Sequence, residues 1–432
     1  MAMISIDFGN SYTKVGLRPA LDEPSEPAQD GSLVFDDDLN LCIPTLAAVA
    51  ERRGRQRWLF GTDVMKLGEG TRGVTVFRNW KPEFFDGDRG DTERDALAQV
   101  ARDEAWARAK AALGLTEEQR SDFEALQPLP PPPPPLDEIA RGYFRWLKSF
   151  LDPICAAEGI ELEEAETRIT LPAFGGQAKA EQEILAVLRG AGFRCARVAP
   201  CLPEPVANAI GIFTEGRNVI WRPPGHREPR PHLGHMFRDC RMFQAARAKA
   251  LNRYGRRMHW TLIADLGGYT LDFAMVGFDL KAMDVPLTGR FQGKRRLSRA
   301  SMPLGVADLD RRVSEALPPE QHAAFEQVIR TIDQRRLEAL HRNLYQRRSP
   351  YVVQGGITLG GGGDMVRIGA CLDAFAAQVA DVAERFMEIE QHTRIDELIL
   401  TGGGMNIPAV RDQLCERMVR YNLRGAYVPS AA

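Results

Sequence analysis

The sequence predicts an α/β protein of two similar lobes with a ligand cleft between them. Three observations carry that expectation: a hairpin pattern that occurs twice, a strand–helix–strand rhythm between the copies, and a further glycine loop near residue 402. The first copy reads Ile6-Asp7-Phe8-Gly9-Asn10-Ser11-Tyr12-Thr13-Lys14-Val15-Gly16, and the second Ala264-Asp265-Leu266-Gly267-Gly268-Tyr269-Thr270-Leu271-Asp272-Phe273. In each, an apolar strand ends in an aspartate, a glycine turn follows and a second strand begins at once. One copy alone reads more readily as an ordinary hairpin with an exposed Asp. Two copies far apart point to internal repetition, each lobe giving one hairpin to the cleft.

The chemistry explains the pairing of residue types. Glycines in a tight turn let successive backbone N–H groups face one concavity, which suits phosphate oxygens. An aspartate beside that turn repels phosphate but can hold Mg²⁺ through water while the metal bridges phosphate oxygens. The pair therefore reads as a metal–nucleotide site.

Size and composition are consistent with this plan. The 432 residues suffice for two or three domains, and 44% hydrophobic with 26% charged residues is a globular composition. Net charge is −2, unevenly spread: Arg52–Arg57, Arg217–Arg257, Lys294–Arg299 and Arg335–Arg348 are basic, whereas Asp22–Asp38 and Asp86–Glu124 lean acidic. Most such runs are solvated faces, so nucleic-acid binding through 217–258 is not the favoured reading. Seven cysteines at 42, 155, 195, 201, 240, 371 and 415 form no C-x-x-C pair, which excludes a zinc module or disulfide framework. A core strand follows Met1 almost directly and no apolar run is long enough to span a bilayer, so a cytoplasmic protein with no membrane partner is expected.

Taken in order, residues 3–17 read as two strands around the first turn, and Leu39–Val49 and Trp58–Phe60 as further short strands. Thr92–Leu126 has helical spacing and ends at the proline run Pro130–Pro135, a stiff spacer. This gives lobe I, residues 1–210, a helical and proline-rich insertion over about 84–135. Leu136–Ala157 is an amphipathic helix turning Ile139, Tyr143, Phe144, Leu147 and Leu151 to the core. Thr167–Leu171, Gln177–Ala191 and Cys195–Val198 then alternate as strand, helix and strand, the rhythm of parallel pairing. Glu204 stands at the opening of the next helix.

Lobe II, residues 211–432, begins with an irregular basic insertion over about 217–258. Its His226, His232, His235 and Cys240 fit no standard metal spacing. The second hairpin, a basic connector and helical patterns from Pro319 to about Gln346 follow. A helix over Cys371–Gln391 carries the core stripe Phe375, Val379, Val382 and Phe386. The strand Glu397–Leu400 runs into Gly402-Gly403-Gly404, Asn406 and a helix from Ala409, where free N–H groups and a positive dipole end meet a ligand.

Asp7–Gly16, Glu204-Pro205-Val206-Ala207-Asn208-Ala209, Asp265–Asp272 and Leu400–Pro408 resemble, in order, the first phosphate, first connecting, second phosphate and adenosine motifs of the actin, heat-shock chaperone and sugar-kinase superfamily. That resemblance implies the two-lobed actin-like ATPase fold, made of duplicated ribonuclease-H-like domains. Pro203–Ala209, Cys42–Ala47, Phe60–Asp63 and Thr75–Lys81 look most like the nucleotide-binding domain of DnaK-like, 70-kDa heat-shock proteins. The likeness implies that Asp7 and Asp265 position Mg²⁺, that Glu204 and Lys81 orient the attacking water and γ-phosphate, and that Thr270 contacts phosphate. It also implies that Gly9, Asn10, Ser11, Tyr12, Lys14, Gly267, Gly268, Tyr269, Thr270, Asp272, Gly402, Gly403, Gly404 and Asn406 hold the nucleotide, ATP or ADP.

The departures from that pattern keep other readings open. Lys14 stands where actin-like proteins place a phosphate lysine and so competes with Lys81 for that role. Tyr269 replaces a chaperone glycine, as in plasmid-segregating actins. Asn406 replaces the arginine that covers adenine, and no Glu-x-x-Lys-Arg helix can be fixed within Glu326–Arg348. The charged helix and proline run replace the small β-rich subdomain expected of lobe I. The chain stops at Ala432, where one more strand and helix are usual, and no peptide-binding domain follows. The leading expectation is an ATP-driven switch acting on a protein partner. An actin-like filament of self-associated copies is second, and a small-molecule kinase third.

Overall fold

The computed structural model describes residues 2–9, 12–18, 43–52, 55–67, 74–78, 80–81, 110, 116, 136–157, 159–173, 177–197, 200–207, 217–221, 258–279, 290–291, 294–295, 297–329, 334–353, 356–423 and 426–429. Asn10, Ser11, Asn208, nearly all of 84–135 and the stretch 222–257 lie outside them.

The first half is built on strands β1 (Met3–Phe8), β2 (Tyr12–Arg18), β3 (Ile43–Pro44), β4 (Ala47–Arg52), β5 (Arg55–Phe60) and β6 (Val74–Phe77), with a short helix α1 (Thr62–Met65) before β6. Helix α2 (Leu136–Ala157), strand β7 (Glu166–Leu171), helix α3 (Gln177–Gly190) and strands β8 (Arg194–Cys195) and β9 (Cys201–Pro203) complete it. The main sheet runs β3-β2-β1-β7-β8, with β9 also on β7. In β1 alternate residues Ile4, Ile6 and Phe8 are fully buried, as period-2 patterning requires. The stripe of α2 closes over them: Ile139, Tyr143, Phe144, Leu147 and Leu151 are at most 1% exposed. Each such side chain contributes about 1.5–3 kcal/mol by leaving water.

The second half comprises β10 (Arg217–Trp221), β11 (Met258–Leu266), β12 (Leu271–Asp279), a small ribbon β13 (Arg290–Phe291) and β14 (Lys294–Arg295), and β15 (Leu297–Met302). Helices α4 (Val306–Ala316), α5 (Pro319–Ile329) and α6 (Gln334–His341) follow, α6 passing into a π-helical turn at Arg342–Gln346. A hairpin β16 (Tyr351–Val352) and β17 (Thr358–Leu359), helix α7 (Asp364–Ile389), β18 (Glu397–Thr401), helix α8 (Pro408–Met418) and β19 (Ala426–Pro429) end the fold. The sheet order is β10-β19-β18-β11-β12-β15. Phe375, Val379 and Phe386 of α7 are buried against it, and Phe386 stacks on Phe273 at 5.5 Å.

The chain is thus mixed α/β, and a local pattern recurs. β1 pairs antiparallel with β2 and parallel with β7, just as β11 pairs antiparallel with β12 and parallel with β18. Several expectations need correction. A small β-rich sheet is present after all, ordered β5-β4-β6 over residues 47–77, upstream of the charged segment. β10 lies in the stretch read as irregular, and β15 in the stretch read as a basic connector. Helix α7 begins at Asp364, not Cys371, and Cys195–Val198 contributes only the two-residue β8. A strand does follow the third loop: β19 pairs parallel with β18.

Candidate functional site at the sheet edges

The first hairpin is held at its turn by side-chain hydroxyls. Gly9 N donates to Asp7 O at 3.1 Å, and a Cβ on Gly9 would stand 2.2 Å from Tyr12 O, so only glycine fits. Thr45 Oγ1 donates to Gly9 O at 2.8 Å, lies 3.0 Å from Thr13 Oγ1, and Thr13 accepts from the buried Tyr143 hydroxyl at 2.9 Å. Burial drives the Tyr143 hydroxyl well above its usual range, which keeps it a donor. Thr170 Oγ1 donates to Asp7 Oδ1 at 2.9 Å, and Lys14 Nζ stands 3.5 Å from Asp7 Oδ2.

The second hairpin is held by backbone. Gly267 N donates to Thr270 O at 2.9 Å, while the carbonyls of Gly267 and Gly268 accept from Val306 N at 3.1 Å and Ala307 N at 2.9 Å. The turn thereby satisfies the first amides of α4, which otherwise lack partners. Gly305 permits this approach, because a Cβ there would meet Gly268 O at 2.4 Å. The first glycine amide of each turn is directed at a carbonyl of its own turn. The cradle expected from the sequence therefore does not include the amides of Gly9 and Gly267.

In the third loop Gly402 has φ +81°, and a Cβ on it would meet Asp265 Oδ1 at 2.2 Å and Leu266 O at 2.4 Å. Gly404 packs likewise on Leu266. These glycines let the loop press against the end of β11. A 3-10 turn over Gly403–Asn406 then precedes α8, which starts at Pro408 rather than Ala409. The α-helical amides thus begin beyond the triplet.

Between the two hairpins Lys81 Nζ bonds Glu204 Oε1 at 2.5 Å, with side chains 4% and 11% exposed. Trp80, buried against Phe8, fixes the backbone at Lys81, whose ammonium also lies 5.4 Å from the Phe8 ring centre. Burial raises the Glu204 carboxyl above its ordinary value; Lys81 opposes the shift and the charges of Asp7 and Asp265 add to it. Asp272 is raised further, first by burial and then by Glu204 and Asp265, although hydroxyls of Ser301 and Thr270 bond its two oxygens. Ser301 Oγ also accepts from Ala173 N at 2.7 Å, joining the second sheet to the first half.

All described residues singled out from the sequence line one cavity of about 760 Å³: Asp7, Gly9, Tyr12, Lys14, Lys81, Glu204, Asp265, Gly267, Gly268, Tyr269, Thr270, Asp272, Gly402, Gly403, Gly404 and Asn406. Lys14 and Lys81 both reach it, the first exposed and the second buried. Tyr269 is buried, at 6% exposure, so its bulk serves packing as well as the rim. Among the described residues no three His, Cys, Asp or Glu side chains stand close enough to hold a metal together. Mg²⁺ keeps several waters when bound, and Asp7 and Asp265 fit it in that water-mediated way rather than by direct chelation.

The sequence reading missed the wall opposite. Asp310, Glu338, His341, Arg342 and Tyr345 line the same cavity. His341 Nε2 lies 2.9 Å from Asp310 Oδ1, Tyr345 donates to that oxygen at 2.6 Å, and the two rings stack at 5.1 Å. Tyr12 OH donates to Glu338 Oε1 at 3.1 Å, a bond spanning the cavity. The available signal was the spacing 338, 341, 342, 345, which is i, i+3, i+4, i+7 and places all four on one helical face. Elsewhere, no helix among the described residues is long and apolar enough to cross a membrane. Set against models of known protein families and against curated proteins, the chain matches none of them.

Proposed function

We propose that the cavity binds a Mg²⁺–nucleoside triphosphate and hydrolyses it, and that the protein is a DnaK-like ATP switch with an actin-like, two-lobed fold of duplicated ribonuclease-H-like domains. The observation that carries this reading is the meeting of both hairpins, the third glycine loop and the Lys81–Glu204 pair around one cavity. The recurrence of β2-β1-β7 as β12-β11-β18 supports the duplicated fold.

In this reading Mg²⁺ supplies neutralisation of phosphate charge, and the chain does the positioning. Asp7 and Asp265 would hold Mg²⁺, Lys14 and the turns would face the phosphates, and Glu204, kept in place by Lys81, would orient the attacking water. Phosphoryl transfer to water asks a protein mainly for alignment and charge compensation. The wall of α6 and its π-helical turn takes the nucleoside end. A nucleotide touching both halves couples its γ-phosphate to their closure, which a protein partner then reads.

Lys14, 3.5 Å from Asp7 at the phosphate side, favours a second reading as an actin-like filament former. Mg-ATP binding and turnover, measured on wild type and Asp265→Asn with sedimentation of the same samples, separates the two. A soluble protein that binds Mg-ATP and loses turnover about 100-fold or more in the variant supports the switch. Nucleotide-dependent pelleting moves the answer to the filament, and absence of Mg-ATP binding overturns both.

A further inference from the structure

We propose, on the basis of the nucleotide reading above, that Arg78 is a further catalytic residue whose guanidinium takes the terminal phosphoryl group and so tells a triphosphate from a diphosphate. Arg78 directly follows β6, whose Phe77 lies opposite Ala47 on antiparallel β4. Continuing in those two directions, Arg78 comes beside Leu46, the residue after Thr45. The Thr45 hydroxyl donates to Gly9 O in the first glycine turn at 2.8 Å. Leu46 and Arg78 both line the cavity. Three residues on, Lys81 Nζ bonds Glu204 Oε1 at 2.5 Å. Arg78 thus stands between the first turn and the pair assigned to the attacking water, at the end assigned to phosphate.

Electrostatics give Arg78 that task. Asp7, Glu204, Asp265 and Asp272 line the cavity, and a polyphosphate seated among them needs cationic groups besides its metal. Burial raises the Glu204 and Asp272 carboxyls, which limits the negative charge that a phosphate meets. Lys14 is 62% exposed beside Asp7, so salt screens its charge. Lys81 carries its short bond to Glu204 and holds that carboxylate in place. Nε and Nη2 of Arg78 are buried, where a charge acts through a lower dielectric. A guanidinium has five donors in one plane, so it can bond two phosphoryl oxygens at once and keep donors for a protein partner.

In hydrolysis the water oxygen forms a bond to the γ-phosphorus as the bond from that phosphorus to the β–γ bridging oxygen breaks. The diphosphate leaves with that electron pair, inorganic phosphate forms and one proton passes to solvent. Charge is spread over the γ-phosphoryl oxygens in the transition state. A donor fork fixed beside them stabilises that charge without reorganising. A diphosphate lacks those oxygens, so its binding does not depend on Arg78.

The test compares Mg-ATP and Mg-ADP on the full chain, by calorimetric titration and by single-turnover phosphate release. Wild type, Arg78→Ala, Arg78→Lys and the control Lys179→Ala, 83% exposed on α3, are measured, and thermal melting checks that each is folded. Arg78→Ala should lower turnover at saturating Mg-ATP about 100-fold or more. It should weaken Mg-ATP binding roughly 10-fold while Mg-ADP affinity changes less than about twofold. Arg78→Lys keeps the charge without the planar fork, so it should restore most of the Mg-ATP affinity but not the turnover. Lys179→Ala should change neither. Mg-ADP affinity lost in step with Mg-ATP affinity, or unchanged turnover in Arg78→Ala, overturns the assignment. If the alanine variant does not fold, wild-type turnover in Arg78→Lys overturns it alone. A wild type that binds neither nucleotide overturns the nucleotide reading and the role of Arg78 with it.

Discussion

In the first hairpin the residue opposite the strand-end aspartate is Lys14, and in the second it is Asp272, with a separation of seven residues in both. The backbone register is the same and the electrostatics are opposite. Lys14 and Asp7 are 62% and 41% exposed, and the first turn hangs on a relay of hydroxyls from Tyr143 through Thr13 and Thr45. Asp272 is 3% exposed within nine-residue strands, and the second turn is bound into the start of α4 and covered by Gly402. In the proposed reading, the repeated backbone supplies one side that would offset phosphate charge and adjust to a ligand. The other side is rigid and carries a carboxyl that resists ionisation.

The largest test of that contrast is Gly402→Ala. It demands φ +81° of a residue with a Cβ and drives that Cβ into backbone and Asp265. Strain and overpacking together cost about 3 kcal/mol, read as a lowered urea midpoint, with loss of Mg-ATP binding. Tolerance of alanine would show that the second hairpin is not the rigid side.

Next is the pH dependence of the nucleotide-free protein. Because the folded Asp272 carboxyl is raised, the native state holds a proton that the unfolded state has released. Stability therefore falls as pH rises from the ordinary carboxylate range toward the folded value. Glu204 acts in the same direction. Unfolding free energies from urea titrations between pH 5 and 8 should decline with pH, by at most about 1.4 kcal/mol per unit for each such group. Asp272→Asn should flatten the decline while Lys14→Met leaves it. A wild-type midpoint that rises over this range would reverse the assignment.

The smallest effect is expected on the adjustable side. Tyr143→Phe removes one buried hydrogen bond to Thr13, costing about 1 kcal/mol. Calorimetric titration should show Mg-ATP binding weakened roughly fivefold, with no change in the pH slope. Unaltered affinity would mean that the hydroxyl relay does not position the first turn.

Much of the site was legible because its residues stand at turns, where glycine and a strand-end acid leave a local mark. Asp7, Asp265 and the Gly402 loop could be read from a few neighbours each. The wall from Asp310 to Tyr345 could not, since its polar face is what any surface helix shows until the fold covers it. β15 was obscured for a related reason: its buried residues are Ser298 and Ser301, so the apolar alternation that marks a strand is missing. Lys81 was legible only through resemblance, because its pairing with Glu204 spans 123 residues.

Each described half is drawn from a contiguous stretch of chain, 2–207 and then 217–429. That division has a consequence for biosynthesis. β18, the last strand to join β11, is made nearly 200 residues after Glu204, about 10–40 s at ordinary elongation speeds. During that interval a nascent chain on the ribosome already contains every residue needed for the first sheet, α2 and the Lys81–Glu204 pair. What emerges later is the other wall of the cavity that holds that pair.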